Sequence, residues 1–424
     1  MNLSTTTNRL LSNRVLRYNA IFLAGSLATG AFGYVFHFAT GRLLGPAQYA
    51  VVASAVAALY LLNLPALVLQ TVSARYTSIA AGRHEAGGVP RLLAQLTVTG
   101  LGAGLVVATL LIVFRGPLSA YLQIADQRII DLLAAASVVA LLVAVTRGSL
   151  QGFRRFVALS INTVLDMALR VASAVGLILF GLGAFGGVIA IVIGPVIAYG
   201  QSLFLFRGLR QEAVGVPTPL AQVGRYAAIS TIAAVGTTYL YNADVVLSKH
   251  YLSAEAAGIY AAASVLGRVV YFLGLTVAQV MFPEVATLHA RDEPHYHVVD
   301  LSLALLAAVA VGLAVLYAAV PGLVLLPYGA AFNPVRPYLW PFAIALGLLA
   351  IVNLFINYLL SIGSARFAVP LLGACVLETG LIATFHQSPL QILEMVVLTM
   401  GALTVFLAGS YIWERLQAPK GRGA

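Results

Sequence analysis

The sequence predicts an all-α polytopic membrane protein, with about twelve transmembrane helices in two homologous six-helix lobes. Three observations carry that prediction. Hydrophobic residues make up 61% of the chain and charged residues 9%, where a soluble domain carries about 25% charged. Apolar runs of about 20 residues recur along the whole length, each long enough for a helix to cross about 30 Å of hydrocarbon. The third observation is an internal repeat at an offset of 208 residues.

Arg17-Tyr18-Asn19-Ala20-Ile21 opens the first copy and Arg225-Tyr226-Ala227-Ala228-Ile229 the second. Without a gap, Leu44 falls on Leu252, Ala53 on Ala261, Leu67 on Leu275 and Arg83 on Arg291. A register kept across two apolar segments and two loops marks a duplication. It makes the chain two-lobed and directs attention to a site between the lobes. Later in each half the echo continues at an offset of 211, with Gly152 on Gly363 and Arg155 on Arg366.

Taken in order, the first half gives spans at 18–39, 50–71, 94–114, 129–145, 158–180 and 184–206. The second gives 226–247, 257–280, 302–320, 339–360, 367–384 and 392–412. The stretch 207–224, with Pro217, Pro219 and three charges, reads as the linker between an N-terminal lobe (1–206) and a C-terminal lobe (225–424). Twelve spans put both termini on one side. Seventeen of the 24 Arg and Lys residues fall on that side, and five (Arg42, Arg115, Arg128, Lys249, Arg336) on the other. Positive charge collects in the cytoplasm, so both termini are expected there and the protein in the cell membrane. The loop 284–300 dissents, with Arg291 against Glu284, Asp292, Glu293 and Asp300; acids count little in this rule. The first seventeen residues, with Arg9, Arg14 and Arg17 and no acid, read as a polar tail before a retained first span rather than a signal peptide.

Several function classes are disfavoured. The single cysteine, Cys375, excludes an internal disulfide and a cysteine-built metal site. The formal charge of +10 sits between apolar runs rather than on one soluble face, which argues against a nucleic-acid partner. No loop exceeds about twenty residues, so a soluble catalytic domain has nowhere to fold and no enzyme is expected. No G-x-x-x-x-G-K-[ST] occurs, so no nucleotide or other cofactor is expected.

Charges inside the spans are therefore the candidates, because each costs about 2.5–3.5 kcal/mol on insertion scales. Arg268 lies about eleven residues into the eighth span, roughly 16 Å deep and close to the midplane. Tyr260, Ser264, Arg268 and Tyr271 make a polar stripe on one helical face. The stripe reads either as a cavity wall whose guanidinium holds an anionic head group or as one side of a buried ion pair. Asp244, near the outer end of the seventh span, is a candidate coupling site for a proton or Na⁺, or it balances Lys249. The repeat places Phe36 and Tyr60 opposite Asp244 and Arg268, so the first lobe offers an aromatic wall there. Asp166 and Arg170, four apart with Ser160 and Thr163 alongside, form an intrahelical pair unless Arg170 contacts substrate. Arg147, with Arg154 and Arg155, is either a positive-inside anchor or an inner-mouth cluster for phosphate-bearing lipid heads. Glu378 lies near the midplane of the eleventh span, and Asn353 and Asn357 are expected to hydrogen-bond between helices.

The stretch Asn242-Ala243-Asp244-Val245-Val246-Leu247-Ser248-Lys249-His250-Tyr251-Leu252-Ser253, followed by Ala257-Gly258-Ile259-Tyr260 and continuing to Gly267-Arg268, resembles the oligosaccharide flippase family. So do Leu44-Gly45-Pro46-Ala47-Gln48-Tyr49 and Gln151-Gly152-Phe153-Arg154-Arg155-Phe156. That family, of the O-antigen and polysaccharide exporter type, sits in the superfamily of multidrug, oligosaccharidyl-lipid and polysaccharide exporters. The resemblance implies two six-helix lobes in a V shape about a central cavity, rocking in alternating access. The implied cargo is an undecaprenyl-pyrophosphate-linked sugar moved from the cytoplasmic to the outer leaflet. Arg268 stands where a cavity cation is expected, while the first span departs from the family in offering only His37 as a basic residue. Expected partners are the lipid-linked oligosaccharide, membrane lipid, a coupling proton or Na⁺, and the polysaccharide polymerase and glycosyltransferases of the same route. Two rivals stand beside this reading. One is a cation-coupled multidrug exporter using Asp244, Asp166 and Glu378; the other is an integral-membrane glycosyltransferase or polymerase, which would need a large outer loop or paired acids.

Overall fold

The computed structural model describes residues 3–82, 88–153, 155–206, 224–291 and 293–417, with side-chain surroundings from residue 24 onward save at 75, 78–92, 224–228, 283 and 290. The linker 207–223, Arg83, Arg154, Asp292 and the side chains of Arg9, Arg14 and Arg17 lie outside that description. The helices in order are α1 (Leu3–Leu62), α2 (Leu64–Gly82), α3 (Gly88–Val113), α4 (Arg115–Tyr121), α5 (Arg128–Gly152), α6 (Phe156–Leu177) and α7 (Gly183–Phe206). The second half adds α8 (Gly224–Tyr251), α9 (Ala254–Ala290), α10 (Tyr296–Ala319), α11 (Pro321–Leu325), α12 (Arg336–Ser361), α13 (Ala368–Thr384) and α14 (Pro389–Gln417). Among the described residues, eight helical stretches are long and apolar enough to cross a membrane, one of them covering both α6 and α7. The twelve expected spans fall on described helices, the second divided between α1 and α2 at Asn63.

The duplication reappears in the helix starts. Pro46, Gly88 and Arg128 lead their segments in the first half. Their counterparts 208 positions on are Ala254, Tyr296 and Arg336, which open α9, α10 and α12. Packing repeats as well: α5 touches α2, α3 and α7, and α12 touches α9, α10 and α14. The peripheral helices also correspond. α3 leaves Val98, Leu105, Val106 and Val113 exposed, and α10 leaves Leu301, Leu305, Val311 and Val315 exposed, as suits side chains that face lipid.

Two features differ from the sequence reading. The polar tail is helical from Leu3, and α1 runs without a loop to Leu62. The expected break between the first two spans shrinks to one residue, Gly45, at φ 70° and ψ 173°. No side chain adopts that φ cheaply, so glycine lets the chain change direction there and Pro46 restarts the helix. The second span also runs past 71, through Asn63 into α2, which ends at Gly82.

By internal contacts the chain forms two compact units. One comprises the described residues of 1–44 and 62–218, the other those of 45–61 and 219–424. The segment Gly45–Leu61, assigned by sequence to the N-terminal lobe, thus clusters with the second half. Its seat there is close. A Cβ placed on Gly258 of α9 would lie 1.9 Å from the Pro46 carbonyl oxygen, and the Tyr49 ring meets Tyr328 and Phe332 edge-on at 5.9 and 5.7 Å.

In the first unit α5 is the inner helix, with Leu141 and Ala144 packed against Ala66 of α2. α1 lies along α6: Gly25 sits over Ser160, and Thr29 Oγ1 donates to Thr163 Oγ1 at 3.2 Å. α6 passes through one π turn (Ile178–Leu182) into α7.

Candidate functional site: two buried charge clusters

In the second unit, α8 and α9 build a polar cluster. α9 gives the stripe expected from its spacing: Tyr260, Ser264, Arg268 and Tyr271 are all buried, at 0, 1, 6 and 7% exposure. Arg268 Nη2 donates to the Tyr241 carbonyl at 3.0 Å and to Asn242 Oδ1 at 3.3 Å. Its guanidinium carbon stands 4.2 Å from the centre of the Tyr241 ring, near enough for a cation–π attraction. Tyr241 in turn packs against Tyr271 at 4.8 Å between ring centres, and Asn353 of α12 donates to the Tyr271 hydroxyl at 3.3 Å. Asn357 turns back on its own helix, to Asn353.

Asp244 accepts from the Tyr260 hydroxyl at 3.0 Å. α8 continues to Tyr251, which sets Asp244 two turns inside the helix rather than one turn from its end. Glu378 of α13 is fully buried. Neither of its carboxylate oxygens has a hydrogen-bond partner among the described residues. It interacts electrostatically with Asp244, Tyr260 and Cys375. An isolated carboxylate in such surroundings costs several kcal/mol. Nearby, the Tyr239 hydroxyl bonds Thr379 Oγ1, which donates to the Cys375 carbonyl. Tyr60, the repeat counterpart of Arg268, is 45% exposed.

In the first unit, α5, α6 and α7 build the other cluster. Asp166 gives one carboxylate oxygen to Arg147 Nη2 at 2.8 Å and the other to Arg170 Nη2 at 3.3 Å. Arg147 Nε also donates to Asn162 Oδ1 at 2.9 Å. The Asn162 amide is fixed from its other side by the Ala198 carbonyl, Gln201 and Ser202 on α7. Gly194 makes this approach feasible: a Cβ there would lie 2.5 Å from both the carbonyl oxygen and Oδ1 of Asp166. The expected Asp166–Arg170 pair is therefore real but shared, and Arg147 comes to it from another helix.

Sequence reasoning missed Asn162, although Asn162, Asp166 and Arg170 repeat every four residues and mark a single face. It missed Arg147 as a partner of Asp166 because that contact joins two helices. Among the described residues, no group of three or more His, Cys, Asp and Glu gathers to hold a metal ion. Outside the spans, Arg128 donates to Asp126 and holds its carboxyl below the usual range. Burial pushes the half-buried His295 imidazole down.

Two apolar helical units of repeated design, each carrying ionised side chains at depth in its spans, define an integral membrane protein built like a secondary transporter. The family described as "Polysaccharide biosynthesis protein" matches residues 39–337, and the chain belongs to it. A comparison with curated proteins gave no match. Among solved structures, a multidrug resistance MATE family transporter of the MOP superfamily, inward-facing, aligns with TM-score 0.76 at 12% identity, over 90% of this chain and 94% of that one. The lipid II flippase MurJ, inward closed, aligns with TM-score 0.71 at 12% identity, over 92% and 87%. A MOP superfamily transporter from Pyrococcus furiosus Vc1 aligns with TM-score 0.59 at 12% identity, over 95% of each chain. The fold is shared with these structures.

Proposed function

We propose that the protein is a non-enzymatic flippase that moves a lipid-linked oligosaccharide, of the undecaprenyl-pyrophosphate type, from the cytoplasmic to the outer leaflet by alternating access. It would sit in the cell membrane with both termini cytoplasmic and serve cell-surface polysaccharide synthesis alongside a polymerase and glycosyltransferases. The observation that carries this reading is Arg268: a guanidinium deep in α9, hydrogen-bonded to a carbonyl and an amide and in electrostatic contact with Asp244. A cation so held suits a pyrophosphate, because a guanidinium makes two parallel bonds to phosphate oxygens and lysine cannot. An inside-negative potential also helps an anion outward, by about 2.3 kcal/mol per net charge per 100 mV. Substitution tests it. Arg268→Lys should lower flipping partly and Arg268→Ala at least tenfold, with both proteins inserted at normal levels; full flipping by Arg268→Ala rejects the role.

A second reading, a cation-coupled multidrug exporter, is favoured by one observation: Glu378 is buried, meets no hydrogen-bond partner among the described residues and interacts electrostatically with Asp244. The two carboxyls serve the first reading equally as the coupling site for a proton or Na⁺. A carboxyl that must carry a proton or cation can bind it on one side of the membrane and release it on the other. The sign of the cargo separates the readings: anionic lipid for the flippase, a cationic drug for the exporter.

A further inference from the structure

The Arg147–Asp166–Arg170 cluster bears two positive charges and one negative, inside a unit whose other buried described residues are uncharged. Asp166 is the innermost member, with 6% of its side chain exposed, against 19% for Arg147 and 15% for Arg170. Arg170 Nε is buried and meets no acceptor among the described residues. Helix packing alone needs only one arginine for one aspartate. The second adds a full positive charge to a partly exposed cluster.

We propose that Arg147 and Arg170 form an anion site within the first unit, with Asp166 as its built-in counter-ion, and that its ligand is a phosphate or pyrophosphate group. Asp166 already bridges the two guanidinia, one oxygen to each. A phosphate presents the same pair of oxygens and a further one for Arg170 Nε. Its negative charge offsets the net positive charge that Asp166 leaves on the cluster. Asn162, pinned by three acceptors on α7, holds Arg147 in place for it. The cluster starts five residues before the end of α5 at Gly152 and reaches along α6 to Arg170. It therefore runs from the end of α5 along most of α6. The inference rests on the flippase reading for its cargo, but not for its test.

The experiment is binding of inorganic pyrophosphate to the full-length purified protein in nanodiscs of zwitterionic lipid, with farnesyl pyrophosphate and farnesol as further arms. Arg147→Gln and Arg170→Gln each leave a neutral pair with Asp166, so both should fold, and each should weaken pyrophosphate binding at least tenfold. Asp166→Asn removes the competing charge and should strengthen it about tenfold. If that variant does not accumulate folded, the two arginine variants decide alone. Farnesyl pyrophosphate binding with the same dependence assigns the site to a lipid head group; binding of the inorganic ion alone assigns it to free phosphate. Wild-type affinity in both arginine variants, or weaker binding by folded Asp166→Asn, overturns the site. A protein that binds through these arginines yet flips nothing overturns the transport reading and leaves the site standing.

Discussion

At the scale of single residues, ionised groups in the spans are placed by neighbours that lower their cost. Arg268 is wrapped by a ring, a carbonyl and an amide, all from Tyr241 and Asn242 on α8. Glu378 has no such hydrogen bonds among the described residues, and this contrast generates a prediction. If Asp244 and Glu378 carry the driving ion, Asp244→Asn and Glu378→Gln should each lose gradient-dependent transport while substrate binding stays within about twofold. Neutral amides keep the shape and remove the site of protonation. Transport that is equal to wild type at both full and collapsed gradients would make the carboxyls structural. The residue types and spacing of these sites were readable in the sequence: the stripe from Tyr260 to Tyr271 and the lone acids on their helices. Their partners were not. Which face of α8 meets Arg268, and that α5 lends Arg147 to Asp166, depend on helix rotation and packing, which periodicity does not encode.

At the scale of elements, close approach is set by small residues. The Pro46 carbonyl lies where a Cβ on Gly258 would be, and backbone cannot step aside. Gly258→Ala should therefore destabilise the second unit by about 1–3 kcal/mol, as overpacking usually does. A melting curve of purified protein checks this, and an unchanged midpoint would contradict the contact. A second prediction concerns the turn from α9 to α10. The His295 ring packs on His289, Tyr296 and Tyr358, and burial depresses its pKa. The unfolded chain then takes up the proton first as pH falls. His295 thus contributes stability above about pH 6.5, the ordinary imidazole value, and this is lost as pH drops through its lowered folded value. His295→Gln should flatten the acid side of the melting-temperature profile; an unchanged profile would leave His295 without a role in it. Helix positions were legible because apolar runs of span length leave little choice. The near-continuity of α1 through Gly45 was not. The Leu44-Gly45-Pro46 signal reads as a loop, and only the backbone angle reveals a bend one residue long.

At the scale of the whole molecule, the duplication is the organising fact. It was legible as a constant offset of 208, and the helix starts at Pro46, Gly88 and Arg128 keep that offset to Ala254, Tyr296 and Arg336. Charge has diverged between the copies. Arg268 and Asp244 replace Tyr60 and Phe36, whereas Asp166 and Arg170 appear in the first copy alone. Each unit thus carries its own cluster. The measurement that tests this account most directly is reconstitution. Purified protein in liposomes carrying a polyprenyl-pyrophosphate-linked oligosaccharide should move it between leaflets faster than protein-free liposomes. Arg268→Ala should slow that movement at least tenfold. Leaflet exchange at the protein-free rate, with the same preparation exporting a cationic drug against a proton or Na⁺ gradient, would contradict it.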